Sequence, residues 1–293
     1  MKEKKQEKPR MRIGICSTDF APSSIEELFK KASFYGFRAM QFSYVSIGME
    51  EIPEVIGDEV IEALKAAAQK YDIIIAAVNA TFNLIDHDKE RLNRNIRSLD
   101  GMCRANQKLG CSLLTLCTGS RSRESMWKAH PLNASKEAWE ELSQNIRPVA
   151  ETAKRYGMYL GIETEAANVV MTPEMARRFI DETGYAGLKV IMDCANLFLP
   201  KTAHKEMVRT VIANAFAQIG SEIILAHGKD IAESDEVVFA PTGQGIVDYD
   251  LFLSLLKDYG YQGPMILHGI YDESLMQGCV EFMQRKLDVL GVT

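Results

Sequence analysis

The stretch LKVIMDCANLF, residues 188–198, decides the fold, because it reads as a buried strand that runs straight into a carboxylate. Four of its first five residues are apolar, and Val190 and Ile191 are β-branched, as residues of buried strands often are. Asp193 follows at once. A lone aspartate in this place is more often a helix cap or a turn residue than a functional group. The question is therefore whether other strands end in the same way.

Three further apolar segments also end on a side chain that can bind protons or metals. MYLGIE ends at Glu163, EIILAH ends at His227 and PMILH ends at His268. About 30 to 40 residues separate one such end from the next, which is room for a loop, a helix and a second loop, or one βα unit.

Eight apolar strand candidates alternate with helical patterns along the whole chain. The candidates begin at Met11, Ala39, Ile73, Ser112, Met158, Leu188, Glu222 and Pro264. The alternation predicts a single (β/α)8 TIM barrel over residues 11–293, preceded by a charged arm, residues 1–10, that we expect to be disordered. An open doubly wound sheet is the alternative, but no GxGxxG follows the first strand candidate, so a dinucleotide-binding fold is disfavoured.

Composition and charge narrow the class of protein. The 293 residues are 46% hydrophobic and carry a formal net charge of −6, so general attraction to nucleic acid or to an anionic membrane is not expected. No apolar run is long enough to span a bilayer. The six cysteines form no CxxC pair, and the N-terminal segment does not resemble a secretion signal. We therefore expect a cytoplasmic protein with reduced thiols, and the sequence leaves homo-oligomer formation open.

The four strand ends should meet, because the carboxyl ends of all strands in such a barrel face one mouth. Glu163, Asp193, His227 and His268 would end strands five to eight. Buried charges of this kind are costly unless a cation offsets them, so the pattern predicts a divalent metal site, with a purely structural hydrogen-bonded cluster as the alternative. Glu165 could point inward in place of Glu163, but Glu163 directly ends the apolar run.

The chain resembles the xylose-isomerase-like TIM barrels, the group described as sugar phosphate isomerases and epimerases. The matching segments are LGIETEAANVV, IMDCANLF, LAHGKD, APTGQGIVDYDLF and GYQGPMILHGI. The resemblance runs from Met11 to about Leu290. It implies one divalent metal, Mn, Zn, Mg or Fe, and the family's Glu, Asp and His ligands match Glu163, Asp193 and His227.

Two positions depart from the family pattern. The family's final glutamate ligand is replaced by His268, which we expect to be the fourth ligand or to lie within one water of the metal. The histidine that follows the aspartate by three residues in the family's epimerases is replaced by Asn196. An imidazole is still a competent acid or base, and as a softer ligand it favours zinc, iron or manganese.

The resemblance implies a metal-dependent isomerase or epimerase that acts on a small sugar or sugar phosphate. It would remove a proton next to a carbonyl and pass through an enediolate, with Glu163 or His268, or the two from opposite faces, moving the proton. The expected substrate contacts are Asn196, Lys229, Glu165, Arg121 and Trp127. For two of them another position is equally compatible with the sequence: Arg121 could lie in a solvent-exposed loop, and Trp127 could lie in the core or in a lid.

Three other functions remain as alternatives. A metal-dependent lyase or dehydratase on a keto-sugar or cyclitol begins with the same proton abstraction. A catalytically inactive sugar-binding barrel would fit the two altered positions. The superfamily's endonucleases for abasic DNA use a three-zinc site with histidines from strands three and four, and the segments AAVNATF and TLCTGS contain none, so this function is disfavoured.

Overall fold

The computed structural model describes residues 11–291, which form a closed barrel of eight parallel strands surrounded by α-helices. The prediction of a single (β/α)8 barrel is confirmed. The charged arm predicted for residues 1–10 lies outside the described residues, as do residues 292 and 293.

The barrel strands are neighbours in chain order, and the last one closes the ring against the first. They are β1 (Ile13–Cys16), β2 (Ala39–Phe42), β3 (Ile74–Asn79), β4 (Leu113–Leu116), β5 (Tyr159–Glu163), β6 (Leu188–Asp193), β7 (Ile223–His227) and β10 (Met265–Leu267). A separate antiparallel hairpin, made of β8 (Asp230–Ile231) and β9 (Phe239–Ala240), lies in the loop after β7. The helices are α1 (Ile25–Phe34), α2 (Asp58–Tyr71), α3 (Lys89–Leu109), α4 (Lys136–Tyr156), α5 (Pro173–Thr183), α6 (Lys205–Ile219), α7 (Tyr249–Asp258) and α8 (Met276–Val289).

Several helix boundaries follow from local sequence signals. Ser24 caps α1 by accepting a hydrogen bond from the backbone N–H of Glu27. Thr172 caps α5 in the same way just before Pro173, whose fixed φ suits the first helical turn. Helices α3, α4 and α5 end at glycines with positive φ, a conformation that costs glycine little: Gly110, Gly157 and Gly184.

The inside of the barrel is filled by small and branched side chains, one from each of seven strands. These are Cys16, Ala39, Ala77, Leu113, Ile191, Leu225 and Ile266. Strand β5 contributes Gly161, where a Cβ atom would lie 2.8 Å from Ile191 Cγ1, so the glycine makes room for its neighbour's side chain. Because the interior is packed in this way, open space for a ligand is left at the mouth.

The structure also bears on the cysteines and on the length and polarity of the helices. All six cysteines are buried free thiols. In the part of the chain that the structure describes, no helix is both long and apolar enough to cross a bilayer.

Candidate active site

Four candidate ligands meet at the carboxyl ends of β5, β6, β7 and β10. Asp193 ends β6 and is paired in register with His227, which ends β7. Glu163 ends β5, on the other side of β6, and His268 directly follows β10. One ligand atom from each of the four lies within 4.8 Å of the others. The structure thus brings together the four predicted ligands in a group that could hold a metal ion.

The orientation of His227 fits metal binding. Its Nε2 lies 2.8 Å from Gln41 Oε1, and since an amide oxygen can only accept, Nε2 carries the proton. Nδ1 then faces the candidate ligand carboxylates, 3.3 Å from Glu163 Oε1 and 3.9 Å from Asp193 Oδ2, and is the ring nitrogen placed to bind a metal. Metal-bound histidines commonly donate their other N–H to such an oxygen, which fixes the tautomer and the ring.

Asp193 is fully buried and presents one oxygen to the cluster. Its Oδ1 accepts hydrogen bonds from the backbone N–H groups of Ala195, at 2.8 Å, and Asn196, at 3.3 Å. Its Oδ2 lies 2.6 Å from His268 Nε2 and 3.4 Å from Lys229 Nζ. Burial disfavours the charged form, but Lys229 and His268 outweigh it and hold the pKa of Asp193 well below its usual value.

Lys229 is a buried cation beside the candidate ligands, 6% exposed, and it packs over the Phe239 ring at 3.7 Å. Its Nζ donates to Asn196 Oδ1 at 2.7 Å, and Asn196 Nδ2 in turn donates to Glu163 Oε1 at 2.9 Å. Burial disfavours the charged form of Lys229, but the negative charges of Asp193 and Glu163 outweigh burial and raise the pKa of Lys229. Neither Asn196 nor Lys229 lines the cavity described below, so their contacts are with the ligands rather than with open space.

A cavity of about 160 Å³ lies against this cluster. One wall carries ionisable groups, and these are Glu163, Glu165, His227 and His268. The opposite wall, from β2 to β4 and the loop after β3, carries uncharged polar groups, and these are Gln41, Asn79, Thr81 and Thr115. The cavity is therefore charged on one side and neutral but hydrogen-bonding on the other.

The neutral wall is held by a network centred on Asn79. Its Oδ1 accepts hydrogen bonds from Thr81 Oγ1, at 2.6 Å, and from Thr115 Oγ1, at 2.7 Å. Its amide N–H donates to Glu51, whose pKa is raised by burial. These fixed amide and hydroxyl groups can both donate to and accept from the hydroxyls of a polar ligand.

The other predicted substrate contacts fall into two groups. Glu165 lines the cavity, and burial raises its pKa to about 7. Trp127 also lines the cavity and is 54% exposed, so it lies at the rim rather than in the core. The structure does not bring Arg121 to the cavity, because its guanidinium pairs with Glu141 at 2.5 Å.

Sequence reasoning missed the neutral wall, because it searched strand ends only for charged and metal-binding residues. Asn79 ends β3 as Asp193 ends β6, so extending the same rule to amides would have found it. Gln41 lies inside β2 and gave one signal, a polar residue within an otherwise apolar run.

A family comparison agrees with this geometry. The family described as xylose isomerase-like TIM barrel matches residues 29–285. The chain belongs to this family.

Curated relatives in this family are distant. Inosose isomerase of Halalkalibacterium halodurans is 23% identical over 236 residues, which cover 76% of this chain and 77% of that protein. Inosose dehydratase of Glaesserella parasuis is 20% identical over 182 residues, which cover 57% of this chain and 60% of the relative. The chain thus spans less than two thirds of the second relative's length.

Solved structures show the same fold at low identity. The 3-keto-D-glucoside 4-epimerase of E. coli superposes with a TM-score of 0.70 at 17% identity, covering 94% of this chain and all of the other. The IolI protein, solved with a bound zinc atom, gives a TM-score of 0.71 at 16% identity, covering 94% of this chain and 98% of the other. The relatives as a group are sugar-modifying enzymes, which supports an enzyme but not one particular reaction.

Proposed function

We propose that the protein is a divalent-metal-dependent isomerase or epimerase of a small keto-sugar or related polyhydroxy ketone. The observation that carries the proposal is the convergence of Glu163, Asp193, His227 and His268 beside a cavity whose far wall is neutral and polar. A divalent cation held by these four residues would supply Lewis-acid stabilisation of negative charge that develops next to a carbonyl. The orientation of His227, with Nε2 on Gln41 and Nδ1 toward the cluster, supports this use of the cluster.

Two groups are suited to moving the proton. Glu163 lines the cavity, and its Oε1 accepts a hydrogen bond from Asn196 and lies 3.3 Å from His227 Nδ1. Within residues 11–291 its Oε2 has no hydrogen-bond partner, so that oxygen is free to take a proton. His268, which follows β10, lines the same cavity and can return the proton to the substrate. The neutral wall would orient the hydroxyls of the substrate.

A dehydratase is the second candidate. Glu165 is a carboxyl group that lines the cavity and is not needed as a ligand, so it could protonate a departing hydroxyl. One of the curated relatives is an inosose dehydratase, whereas another is an inosose isomerase. Both reactions start with loss of a proton next to a carbonyl, and they differ in whether water is lost afterwards.

The test is hydrogen exchange in heavy water. Manganese-loaded protein is incubated with a panel of keto-sugars and keto-cyclitols, and NMR records deuterium at the carbon next to the carbonyl. We expect incorporation at one carbon for the accepted substrate and its loss in Glu163→Gln. The metal content of the variant is measured in parallel, because Glu163 is a candidate ligand as well as a candidate base.

The same samples separate the two reactions, since a dehydratase product is lighter by one water. If no deuterium appears, an α-deuterated substrate is used to detect shielded internal transfer through a primary isotope effect. Absence of both signals would reject proton abstraction.

A further inference from the structure

A second, larger cleft adjoins the cavity at the barrel mouth. It has a volume of about 420 Å³ and is formed by the segment after β2, the loop after β3, the first turns of α3 and the loop after β4. Thr81 lines both spaces. Glu51 in the cleft accepts a hydrogen bond from Asn79 in the cavity wall, and the consecutive residues Met126 and Trp127 line the cleft and the cavity respectively.

The two volumes indicate a ligand in two parts. Ligand pockets usually enclose about 300–1,000 Å³. The cavity, at about 160 Å³, lies below that range, whereas the cavity and the cleft together lie within it. A substrate confined to the cavity would leave the larger, adjoining cleft empty.

The charges in the cleft nearly cancel. Arg91 is paired with Asp86, with Nε 2.6 Å from Oδ2. Glu124 is paired with Lys128 at 2.5 Å. The remaining charged groups that line the cleft are two acids and two arginines, namely Glu50, Glu51, Arg94 and Arg123. A cleft without surplus positive charge is poorly suited to binding a phosphate. Hydrogen-bond donors that lie beside acceptors suit hydroxyl groups, because a hydroxyl group both donates and accepts hydrogen bonds.

Several polar side chains in the cleft have spare hydrogen-bonding capacity. Arg94 and Asn95 begin the second turn of α3, and Arg123 lies in the loop after β4. Within residues 11–291 none of these three side chains has a hydrogen-bond or ion-pair partner. They are the groups that a ligand in the cleft would contact.

We propose that the cleft is a second sugar subsite and that the substrate is a glycoside. The keto-sugar ring would occupy the cavity, and a second, neutral polyhydroxylated unit would occupy the cleft. This inference rests on the proposed function and names the substrate class for the same site.

The test compares substrates that differ only in what is attached to the reacting ring. Manganese-loaded protein is given a keto-sugar, a glycoside of that keto-sugar with a second hexose, and the phosphate ester of the keto-sugar, and kcat/KM for α-proton exchange is measured. We expect kcat/KM for the glycoside to exceed that for the single ring at least tenfold, mainly through a lower KM.

Variants locate the effect in the cleft. Asn95→Ala and Arg94→Ala should each raise KM for the glycoside by about tenfold, the effect of one or two lost hydrogen bonds, and leave the single-ring substrate unchanged. Arg97→Ala is the matched control, because Arg97 is exposed on the same helix but does not line the cleft.

Two results would overturn the inference while the proposed function stands: equal kcat/KM for the single ring and the glycoside, or a preference for the phosphate ester. Exchange with none of the substrates would instead count against the proposed function. The cleft is then judged by calorimetry with cellobiose, maltose and trehalose against glucose. Tighter binding of a disaccharide that is lost in Asn95→Ala supports a sugar subsite, and equal affinities reject it.

Discussion

At the scale of single residues, His268 stands where the family pattern has a glutamate, and this changes the charge of the candidate ligand group. Two carboxylates remain, Glu163 and Asp193, and the buried ammonium of Lys229 lies 3.4 Å from Asp193 Oδ2. With a divalent cation added, the group carries a net positive charge. Such a site favours negative charge on the substrate more strongly than one with three carboxylates would.

His268 should be required for tight metal binding. His268→Ala is expected to lower the affinity for Mn²⁺ at least about tenfold, because one of four ligands is lost. Titration calorimetry on metal-free protein measures this. His204→Ala is the control, since the His204 ring pairs with Asp235, in the loop between β8 and β9. An unchanged affinity in His268→Ala would leave metal binding to the other three residues.

Glu165 should make the metal-free protein less stable at high pH. Burial raises its pKa to about 7 in the folded protein, so the folded state binds its proton more tightly than the unfolded state does. Stability is therefore lost as the pH rises from the unfolded pKa, about 4.3, to the folded one. Relative to wild type, Glu165→Gln should gain roughly 3 kcal/mol in free energy of unfolding at pH 8 and about 1 kcal/mol at pH 5.

Urea denaturation in the presence of a chelator at both pH values measures this difference. Glu182→Gln serves as the control, because Glu182 lies at the end of α5 in an ion pair with Arg178. If wild type and Glu165→Gln differ by the same amount at pH 5 and pH 8, folding does not raise the pKa of Glu165.

At the scale of elements, the loop after β7 is organised by one buried carboxylate. Asp230 accepts hydrogen bonds from the backbone N–H groups of Ile231 and Val247 through Oδ1 and of Gly243 through Oδ2, at 2.9–3.0 Å. This loop carries Phe239, whose ring packs on Lys229. Asp230 thus holds the loop whose Phe239 covers Lys229.

Removing that carboxylate should loosen the loop. Asp230→Ala is expected to lower the free energy of unfolding by about 2–4 kcal/mol, since three backbone donors lose their acceptor in a buried place. Asp230→Asn keeps one acceptor oxygen and should lose less. Chemical denaturation of the three proteins gives the order, and a loss in Asp230→Ala below 1 kcal/mol would show that water or another group satisfies these donors.

Strand ends explain both the success and the limits of prediction from sequence. Asp193, Glu163, His227 and His268 could be predicted because barrel topology alone brings the ends of neighbouring strands together. The burial of Lys229 could not be predicted, because it depends on the β8–β9 hairpin, which brings Phe239, about ten positions later in the chain, over the lysine. Arg121 was expected near the substrate, but it is held away from the cavity by its ion pair with Glu141 of α4.

At the scale of the whole molecule, metal binding should stabilise the barrel, because the cluster joins the ends of four strands. A ligand at one hundred times its dissociation constant adds about 2.7 kcal/mol to the free energy of unfolding. For a domain of this size that corresponds to a rise in Tm of roughly 5–10 °C. Thermal unfolding with and without Mn²⁺ tests this, and the rise should disappear in Asp193→Asn; an equal rise in the variant would place the ion elsewhere.

The six buried thiols offer a readout of motion that needs no added probe. Cys16 and Cys117 line the cavity, whereas the other four do not. Burial raises the pKa of the Cys117 thiol to about 12, so little reactive thiolate exists while the barrel is closed. A thiol-specific dye therefore reacts only when the structure opens. Comparing labelling of the two cavity cysteines with that of the four others distinguishes breathing of the mouth from unfolding of the entire chain.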